Sequence, residues 1–499
     1  MKKKSDDLFQ LIKSLTRNEK RHFRLGKRQE GDAIYMRLFD VIDDMDGDGY
    51  DEEIIYGKFA GAQFLNQLHS TKNHLYHLIL KNLRNFHEDK FVESQLFNLL
   101  SEAAILQERG LYKLSEKQLR RALKIAIEYD KQLVILEVLR RQLSNLIETG
   151  VKDVDSKFKI HFELIDNTLN NIRLEYIYTK FHYSLHIPLR HGMRRNPELD
   201  QKIAWITKHE LFNSSEQNQA TFEARYYFLN THVAHHYLRH KMKKAAGVLK
   251  QMIEHWKAHP QMIKIKPRLY LIQLSNYLDC QISSGVYDDV EEILEEITSF
   301  KLNSFNDQAE RFQNEKNHRL RYYINTRQYG KAEVLLPEIK KGLETYGTKI
   351  NEARLVTIYY NVLVLNFVLE KHGECIEWIN LILNNDRTSP KKIVKQAARI
   401  VELAVHYEMD NKRVLTNLFE STYKKLQRSG TLMEFEKKVL KQFKKLVKAT
   451  EKKEENKLLS EFINELEPIY NNRPLPAGCA EIYLWAKSKL DAKPLRDLI

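Results

Sequence analysis

Apolar positions recur along the chain at the spacing of helix faces, and five stretches repeat one short pattern. A small or polar residue is followed two places later by an aromatic or other bulky apolar residue, and nine places later by an aliphatic one. The repeats are Gly110, Tyr112 and Leu119; His240, Met242 and Leu249; Gly285, Tyr287 and Leu294; Arg327, Tyr329 and Leu336; and Gly373, Cys375 and Ile382. The anchors at 240, 285, 327 and 373 lie 45, 42 and 46 residues apart, and the 130 residues after 110 leave room for two units near Gly150 and Asn196. A helical period of about 40 to 46 residues predicts stacked helix hairpins.

The stretch after residue 90 shows how one such hairpin is encoded. Apolar residues at helical spacing mark its two helices, with Phe97, Leu100, Ala104 and Leu106 on the outgoing one and Leu119, Ala122, Leu123 and Ala126 on the returning one. A Gly before the turn and a small residue twelve places on, here Gly110 and Ala122, resemble the tetratricopeptide-like (TPR-like) helical repeat family. The resemblance covers about two-thirds of the chain. The resemblance implies a right-handed α-solenoid. The period of about 40 to 46 residues exceeds the family's typical unit of about 34 residues and indicates longer helices.

The first 90 residues do not follow the repeat and predict a separate N-terminal helical head domain. Thr16 and Glu19 have the spacing of a capping box, in which each side chain accepts a hydrogen bond from a free amide at the start of a helix. The apolar pattern predicts helices over 7–15, from there to about 25, over 33–44, from 51, and over 64–87. We expect a head over 1–90, a TPR-like array over 91–430 and C-terminal capping helices over 431–499.

Composition favours an all-α protein in a reducing compartment. Only 17 Gly and 10 Pro occur among 499 residues, which leaves few turn and strand signals. The cysteines, Cys280, Cys375 and Cys479, are too scattered for a disulfide framework or a zinc site. No secretory signal follows Met1, and no apolar run approaches the roughly 18 residues of a membrane span. We predict a cytoplasmic protein that is not inserted into a membrane and whose oligomeric state the sequence leaves open.

A basic stripe in the head makes nucleic acid a candidate partner. The chain has a formal net charge of +14, with 81 basic and 67 acidic residues. Arg17, Lys20, Arg21, Arg24 and Arg28 lie on one side of the predicted second helix, where they could neutralise several phosphates. The head could also present the helix with Lys72, Asn73, Lys81 and Arg84 to a groove, as helix-turn-helix proteins do. The alternative is an ordinary solvated face, because no base-reading motif is present.

Two groups of residues suggest metal binding, but both are incomplete. Asp44, Asp46, Asp48 and Gly49 match the start of an EF-hand calcium loop, but its twelfth position, which needs a bidentate carboxylate, is Ile55. Turn chemistry explains the same acidic residues. Imidazoles recur at helical spacing at His232, His235, His236 and His240, and again at His182 and His186. Further ligands are not evident, and polar packing is the alternative. We therefore predict no metal and no cofactor.

Catalytic motifs are absent, and the C-terminal lysines fit an ordinary helix. No phosphate-binding loop, dinucleotide fingerprint, nucleophile elbow or kinase loop occurs, so we expect no enzymatic activity and no catalytic residue. Lysines alternate with Val439, Leu440, Phe443, Leu446 and Val447 at helical spacing. An anionic membrane or an acidic partner could bind such a helix. A capping helix with its apolar face buried needs the same pattern.

Tyrosine pairs on the outgoing helices are candidates for a binding surface. Tyr226–Tyr227, Tyr322–Tyr323 and Tyr359–Tyr360 recur in successive units, and we select Tyr227, Tyr323 and Tyr360 as partner-binding residues. Packing between helices is the competing interpretation.

The leading hypothesis is a non-catalytic cytoplasmic scaffold that binds a protein partner through the repeat array. The alternative is a nucleic-acid-associated regulator that uses the basic head, with the array as its partner or sensor module.

Overall fold

The computed structural model describes residues 6–28, 33–45, 49–87, 91–149, 154–190, 196–213, 220–302, 304–384, 392–428, 432–471, 475–476 and 478–498. These residues form 24 α-helices with a few short 3₁₀ segments and contain no strand. The predicted all-α class is therefore confirmed. The chain divides into two compact units, Met1–Leu174 and Glu175–Ile499.

Unit 1 begins with five helices that share one apolar core. They are α1 (Asp7–Ser14), α2 (Arg17–Arg28), α3 (Ala33–Asp43), α4 (Glu52–Lys58) and α5 (Leu68–Phe86). Each helix contributes a side chain that is at most 1% exposed, namely Ile12, Phe23, Leu38, Ile55 and Leu75. All members of this core cluster come from the segment in which the sequence predicts the head domain.

The capping box predicted at the start of α2 is confirmed. The Thr16 amide and hydroxyl both donate to Glu19 Oε2 at 2.7 Å, and the Glu19 amide donates to Thr16 Oγ1 at 3.3 Å. His87, just after α5, reaches the other carboxylate oxygen of Glu19 at 2.6 Å. Glu19 therefore starts one helix and also holds the end of another against it.

The rest of unit 1 contains three antiparallel helices and the start of a long one. They are α6 (Val92–Glu108), α7 (Tyr112–Glu128), α8 (Gln132–Thr149) and α9 (Val154–Arg190), and the boundary between the units falls within α9. Gly110 and Asp130 take the left-handed conformation, with φ of 71° and 54°, at the two turns between α6 and α8. Leu119 and Ala122 of the first repeat are fully buried on α7.

Unit 2 contains the remaining helices. They are α10 (Pro197–Lys208), α11 (Phe222–Leu238), α12 (Met242–Lys257), α13 (Pro260–Ile265), α14 (Pro267–Ser284), α15 (Val290–Ser299), α16 (Phe305–Asn325), α17 (Tyr329–Tyr346), α18 (Glu352–Val368), α19 (His372–Leu383), α20 (Lys392–Glu408), α21 (Lys412–Arg428), α22 (Glu434–Leu446), α23 (Lys452–Tyr470) and α24 (Cys479–Asp491). Five hairpins follow one another, formed by α11–α12, α14–α15, α16–α17, α18–α19 and α20–α21. The outgoing helices α14, α16, α18 and α20 each contact the next one.

One turn geometry closes all five hairpins. The turn residues His240, Gly285, Arg327, Glu370 and Asp410 all have φ between 54° and 67° and lie 45, 42, 43 and 40 residues apart. The amide of the next residue donates to the carbonyl five positions earlier, as Lys241 does to His236 at 2.9 Å and Gln328 to Tyr323 at 2.8 Å. This is the hydrogen bond of a Schellman C-cap, which satisfies a carbonyl left free at the end of a helix. Five residues after the turn the side chain is buried: Ala245, Val290, Ala332, Cys375 and Leu415.

The anchor proposed for the fifth repeat is wrong by three residues. Gly373 lies inside α19 and has no positive φ, whereas Glu370 makes the turn. A shift of three residues is close to one helical turn, so Gly373, Cys375 and Ile382 imitate the apolar face of a correctly placed repeat. Of the two extra units, Gly150 lies outside the described residues. Asn196 caps α10, and its side chain accepts from the Leu199 amide at 2.8 Å.

The last three helices close unit 2. The lysine-rich α22 buries Phe435, Val439, Phe443 and Leu446, while most of its lysines are exposed. Helix α24 contacts both α20 and α23, and Trp485 Nε1 donates to Glu408 Oε1 at 2.7 Å. The apolar face of α22 is thus used inside the unit, as expected for an ordinary packed helix.

Candidate functional site

The basic stripe of the head is partly neutralised inside the chain. Arg24 on α2 donates to Asp40 at 2.9 Å and to Asp43 at 2.8 Å, and Lys20 forms an ion pair with the same Asp43. Arg17 and Arg21 are exposed and have no ion pair within the described parts of the chain. The side chain of Arg28 lies outside the described residues. Among the described side chains of α2, free positive charge is therefore concentrated at Arg17 and Arg21.

Helix α5, which was considered for groove recognition, does not present all of its basic residues to solvent. Lys72 on α5 is only 9% exposed, and its ammonium lies 2.9 Å from Glu52 Oε1 and 4.6 Å from the centre of the Tyr50 ring. Asn73, Lys81 and Arg84 are exposed on the same helix. Lys72 thus holds α5 against α4, and three of the four residues remain accessible.

The tyrosine pairs lie in three different environments. Tyr227 is half-buried, with its ring 5.5 Å from His182 and 6.4 Å from Tyr183. Tyr323 is 8% exposed and lies under the Lys331 ammonium at 5.6 Å. The half-buried Tyr360 has its hydroxyl beside the Glu481 carboxyl of α24, and burial together with that carboxyl raises its pKa. Helix packing therefore accounts for most of the surface of all three tyrosines, and Tyr323 is the most buried of them.

A row of polar side chains, which the sequence analysis missed, crosses the three outgoing helices α14, α16 and α18. Ser275 Oγ lies 2.7 Å from His318 Nε2 and donates to Asn314 Oδ1 at 3.3 Å. Arg354 donates to the same amide oxygen from the next helix. Further along, Asn361 Nδ2 donates to Asn317 Oδ1 at 2.6 Å. We call these six residues the polar row.

Part of the polar row is open to solvent and part of it is buried. The side chain of Arg354 is 41% exposed, as is 43% of Asp279, the partner of Arg321 beside the row. Asn314 and His318 are each 2% exposed. Asn314 Nδ2 and His318 Nδ1 have no hydrogen-bond partner among the residues described. An accessible charged edge thus lies next to buried polar atoms that have unused hydrogen-bonding capacity.

His318 lies between Ser275 and Asp279, as the histidine of a hydrolase triad lies between its serine and its aspartate. The distances argue against that chemistry. His318 Nδ1 is 3.7 Å from Asp279, too far for a hydrogen bond, and the carboxylate is paired with Arg321. Burial lowers the pKa of His318 to about 4, which makes it a poor general base at neutral pH. These residues are better explained as a polar contact between helices than as a catalytic group.

The histidine cluster is engaged in packing. His232 Nε2 lies 2.9 Å from the Phe212 carbonyl oxygen and its ring stacks on Phe212 at 4.2 Å, while His240 is a turn residue. Burial lowers the pKa of His235 to about 4. Within the described ranges, no three His, Cys, Asp or Glu side chains are grouped as metal ligands.

Only part of the acidic turn considered for calcium lies among the described residues. Asp46 and Asp48 lie outside the described residues. The Asp51 side chain caps α4 by accepting from the Glu53 amide at 2.9 Å, and Ile55, at the twelfth position of the loop, is fully buried. Asp51 therefore has a structural task as a helix cap.

All three cysteines are buried, and none of them is in a disulfide. Burial raises the pKa of Cys280 and of Cys375 to about 12. Both are therefore protonated near neutral pH, which is the unreactive form of a thiol.

No protein-family model, curated protein or solved structure matched this chain. Among the described helices, none combines the length and apolar character needed to cross a bilayer.

Proposed function

We propose that this protein is a non-catalytic scaffold that binds another protein through a TPR-like α-solenoid formed by the hairpins of unit 2. The observation that carries the proposal is the polar row on three successive outgoing helices. Amide and charged side chains repeated at the period of a helical array are suited to many modest contacts along an extended partner. The recurrent turns at 240, 285, 327, 370 and 410 support the array part of the proposal.

The binding surface in this proposal combines the exposed edge of the row with Tyr227. Arg354 and Asn361 supply hydrogen-bond donors, and Tyr227 offers apolar area with a hydroxyl. Tyr323 and Tyr360 act in it as supporting residues, because Tyr323 is buried and the Tyr360 hydroxyl lies beside the Glu481 carboxyl.

Affinity capture from native cytoplasm, with and without nuclease, tests this function. Wild type should retain a protein partner after nuclease treatment, and Arg354→Ala combined with Asn361→Ala should lose it. Lys340→Ala is the matched control, because it removes an exposed charge on the returning helix α17. Retention by the double variant equal to that by wild type would contradict the assignment of this surface.

A second candidate function is nucleic-acid binding by the head. It is favoured by Arg17 and Arg21, which are exposed and form no ion pair with any residue that the structure describes. Reversing both charges should remove salt-sensitive retention of DNA or RNA. Arg24→Glu is an unsuitable test because it would place three acidic groups together with Asp40 and Asp43. Unchanged nucleic-acid retention by Arg17→Glu/Arg21→Glu would rule out this surface.

A further inference from the structure

The first half of α9 carries apolar residues at the spacing of a coiled-coil seam. Phe158, Phe162, Ile165, Leu169 and Ile172 are separated by four, three, four and three residues. This is the a/d repeat of a heptad, which places all five side chains along one side of a helix. We call this set the α9 seam. The repeat-based sequence analysis did not find it, because the seam belongs to none of the hairpin patterns.

The chain itself leaves much of the α9 seam uncovered. Phe162 is 54% exposed and Leu169 is 47% exposed. Phe158, Ile165 and Ile172 are half-buried, and the Phe158 and Phe162 rings stack on each other at 6.2 Å. Large apolar side chains aligned at helical spacing and exposed together mark an interaction surface rather than a solvated face.

We propose that the α9 seam pairs with the same seam of a second copy of this chain, in a parallel, reversible homodimer. A regular a/d seam is shaped to receive another helix with the same spacing, and an identical copy provides one. In a parallel pair, the flanking positions place the half-buried His161 near the exposed Asp166 of the other copy, without a like-charged pair, while Thr168 is buried within its own chain. Full antiparallel overlap would instead bring Asp166 against its own copy and Lys159 against Arg173.

The size of the seam indicates a weak dimer. These five side chains remove on the order of 300 Å² from water per copy, because two are about half exposed and three less than that, and a whole aromatic side chain buries about 150 to 250 Å². Stable interfaces bury about 800 Å² per partner. The dimer therefore exchanges with monomer and should form in the micromolar range, on the order of 10 μM.

Analytical ultracentrifugation of the full chain, from about 1 to 100 μM, tests the pairing. Wild type should shift from monomer to dimer across this range. Phe162→Glu/Leu169→Glu should remain monomeric, with the dissociation constant raised at least about a hundredfold because charges would enter the seam. Both residues are exposed in the single chain, so the variant should keep the wild-type circular dichroism spectrum and melting temperature.

The matched control is Ile160→Glu/Leu164→Glu. These residues lie on the opposite side of the same helix and are 56% and 45% exposed, close to the values of the seam residues. The control should dimerise as wild type does. Wild type that stays monomeric at 100 μM would overturn the proposal, as would a seam variant that still dimerises or a control that dissociates equally.

A single cysteine tests the orientation. Leu169→Cys faces its own copy in a parallel pair and should form a disulfide-linked dimer under mild oxidation. The native Cys280, Cys375 and Cys479 are at most 1% exposed, so they should not compete. A Leu169→Cys chain that dimerises in the centrifuge without cross-linking would refute parallel pairing. The proposal is independent of the scaffold function.

Discussion

At the scale of single residues, several charged and polar side chains have structural tasks that their spacing in the sequence does not reveal. Lys20 and Arg24 have the spacing of a basic stripe, but both reach Asp43 on the following helix. The sequence shows which side of α2 they occupy, because helical geometry is local. It does not show that α3 brings carboxylates to that side, because this depends on how two helices pack.

Glu19 makes a prediction about pH. Burial alone would raise its pKa, but hydrogen bonds from Thr16 and His87 lower it below the ordinary value of 4.5. A carboxyl with a depressed pKa contributes stability above its unfolded pKa and loses that contribution as the pH falls through its folded pKa. Glu19→Gln should therefore destabilise unit 1 at pH 6 to 7, and its difference from wild type should shrink below about pH 4.

Urea unfolding of both chains at a series of pH values provides the measurement. Glu163→Gln, at an exposed position in the interior of α9, is the control and should change the free energy of unfolding by at most about 0.5 kcal/mol. A difference between Glu19→Gln and wild type that stays constant from pH 7 to pH 3 would contradict the prediction.

Gly342 lies where the packing of helices leaves no room for a side chain. A Cβ at this position would overlap the Phe312 ring, which lies directly against the backbone. Gly342→Ala should lower the free energy of unfolding by about 1 to 3 kcal/mol through overpacking. Gly247→Ala is the control, because Gly247 is inside α12 with nothing within 4 Å of a new Cβ. The control should stabilise by up to about 1 kcal/mol, and equal effects in thermal melts would contradict this difference.

At the scale of elements, the hairpins of unit 2 use one turn geometry with different residues at its centre. Gly285 takes φ of 67° without steric cost, whereas Arg327 takes φ of 60° despite its Cβ. The sequence pattern located both turns. It failed at Glu370 because a non-glycine residue made the turn while Gly373, within the following helix, attracted the assignment.

The shared geometry predicts opposite effects of exchanging glycine at two turns. Gly285→Ala should destabilise by about 1 kcal/mol, since the left-handed conformation is costly for a residue with a Cβ. Arg327→Gly should be neutral or stabilise by up to about 1 kcal/mol. Glycine removes the backbone strain of the left-handed conformation, but a chain with glycine loses more conformational entropy when it folds, which offsets part of the gain. Chemical denaturation provides the measurement. The shared turn geometry would be contradicted if both variants were destabilised by the same amount.

At the scale of the whole molecule, contacts between distant parts of the sequence complete unit 2. Trp485 on α24 stacks on Phe443 with ring centres 5.0 Å apart and bonds to Glu408. After α24, the Leu495 amide donates to Glu370, the turn residue of the fourth hairpin of unit 2, at 3.2 Å. The C-terminal segment therefore stabilises hairpins that lie about a hundred residues earlier in the sequence.

Removing the Trp485 side chain should strongly destabilise unit 2. Trp485 is 3% exposed, and its replacement by Ala should cost about 3 to 5 kcal/mol because a large cavity forms and Glu408 loses a donor. Trp205→Ala is the matched control, since Trp205 is 44% exposed. The control should lose much less in thermal denaturation. Similar losses in the two variants would contradict the role assigned to α24.

Local patterns determined much of the fold of this protein. The periodicity of apolar residues gave the all-α class, most helices of the head, and the turns at 110, 240, 285 and 327. The capping box at Thr16 was found because its hydrogen bonds join residues only three apart. Each of these features depends on residues within one or two helical turns, so their spacing in the sequence is enough to define them.

Only the tertiary structure decided which side chains share a surface. Ser275, Asn314 and Arg354 lie about forty residues apart in sequence, and they form one row because successive outgoing helices pack side by side. The exposure of the α9 seam likewise depends on what the surrounding helices leave uncovered. Burial and contact between distant segments are properties of the packed chain, and for that reason the sequence specified the helices while the packing specified the candidate sites.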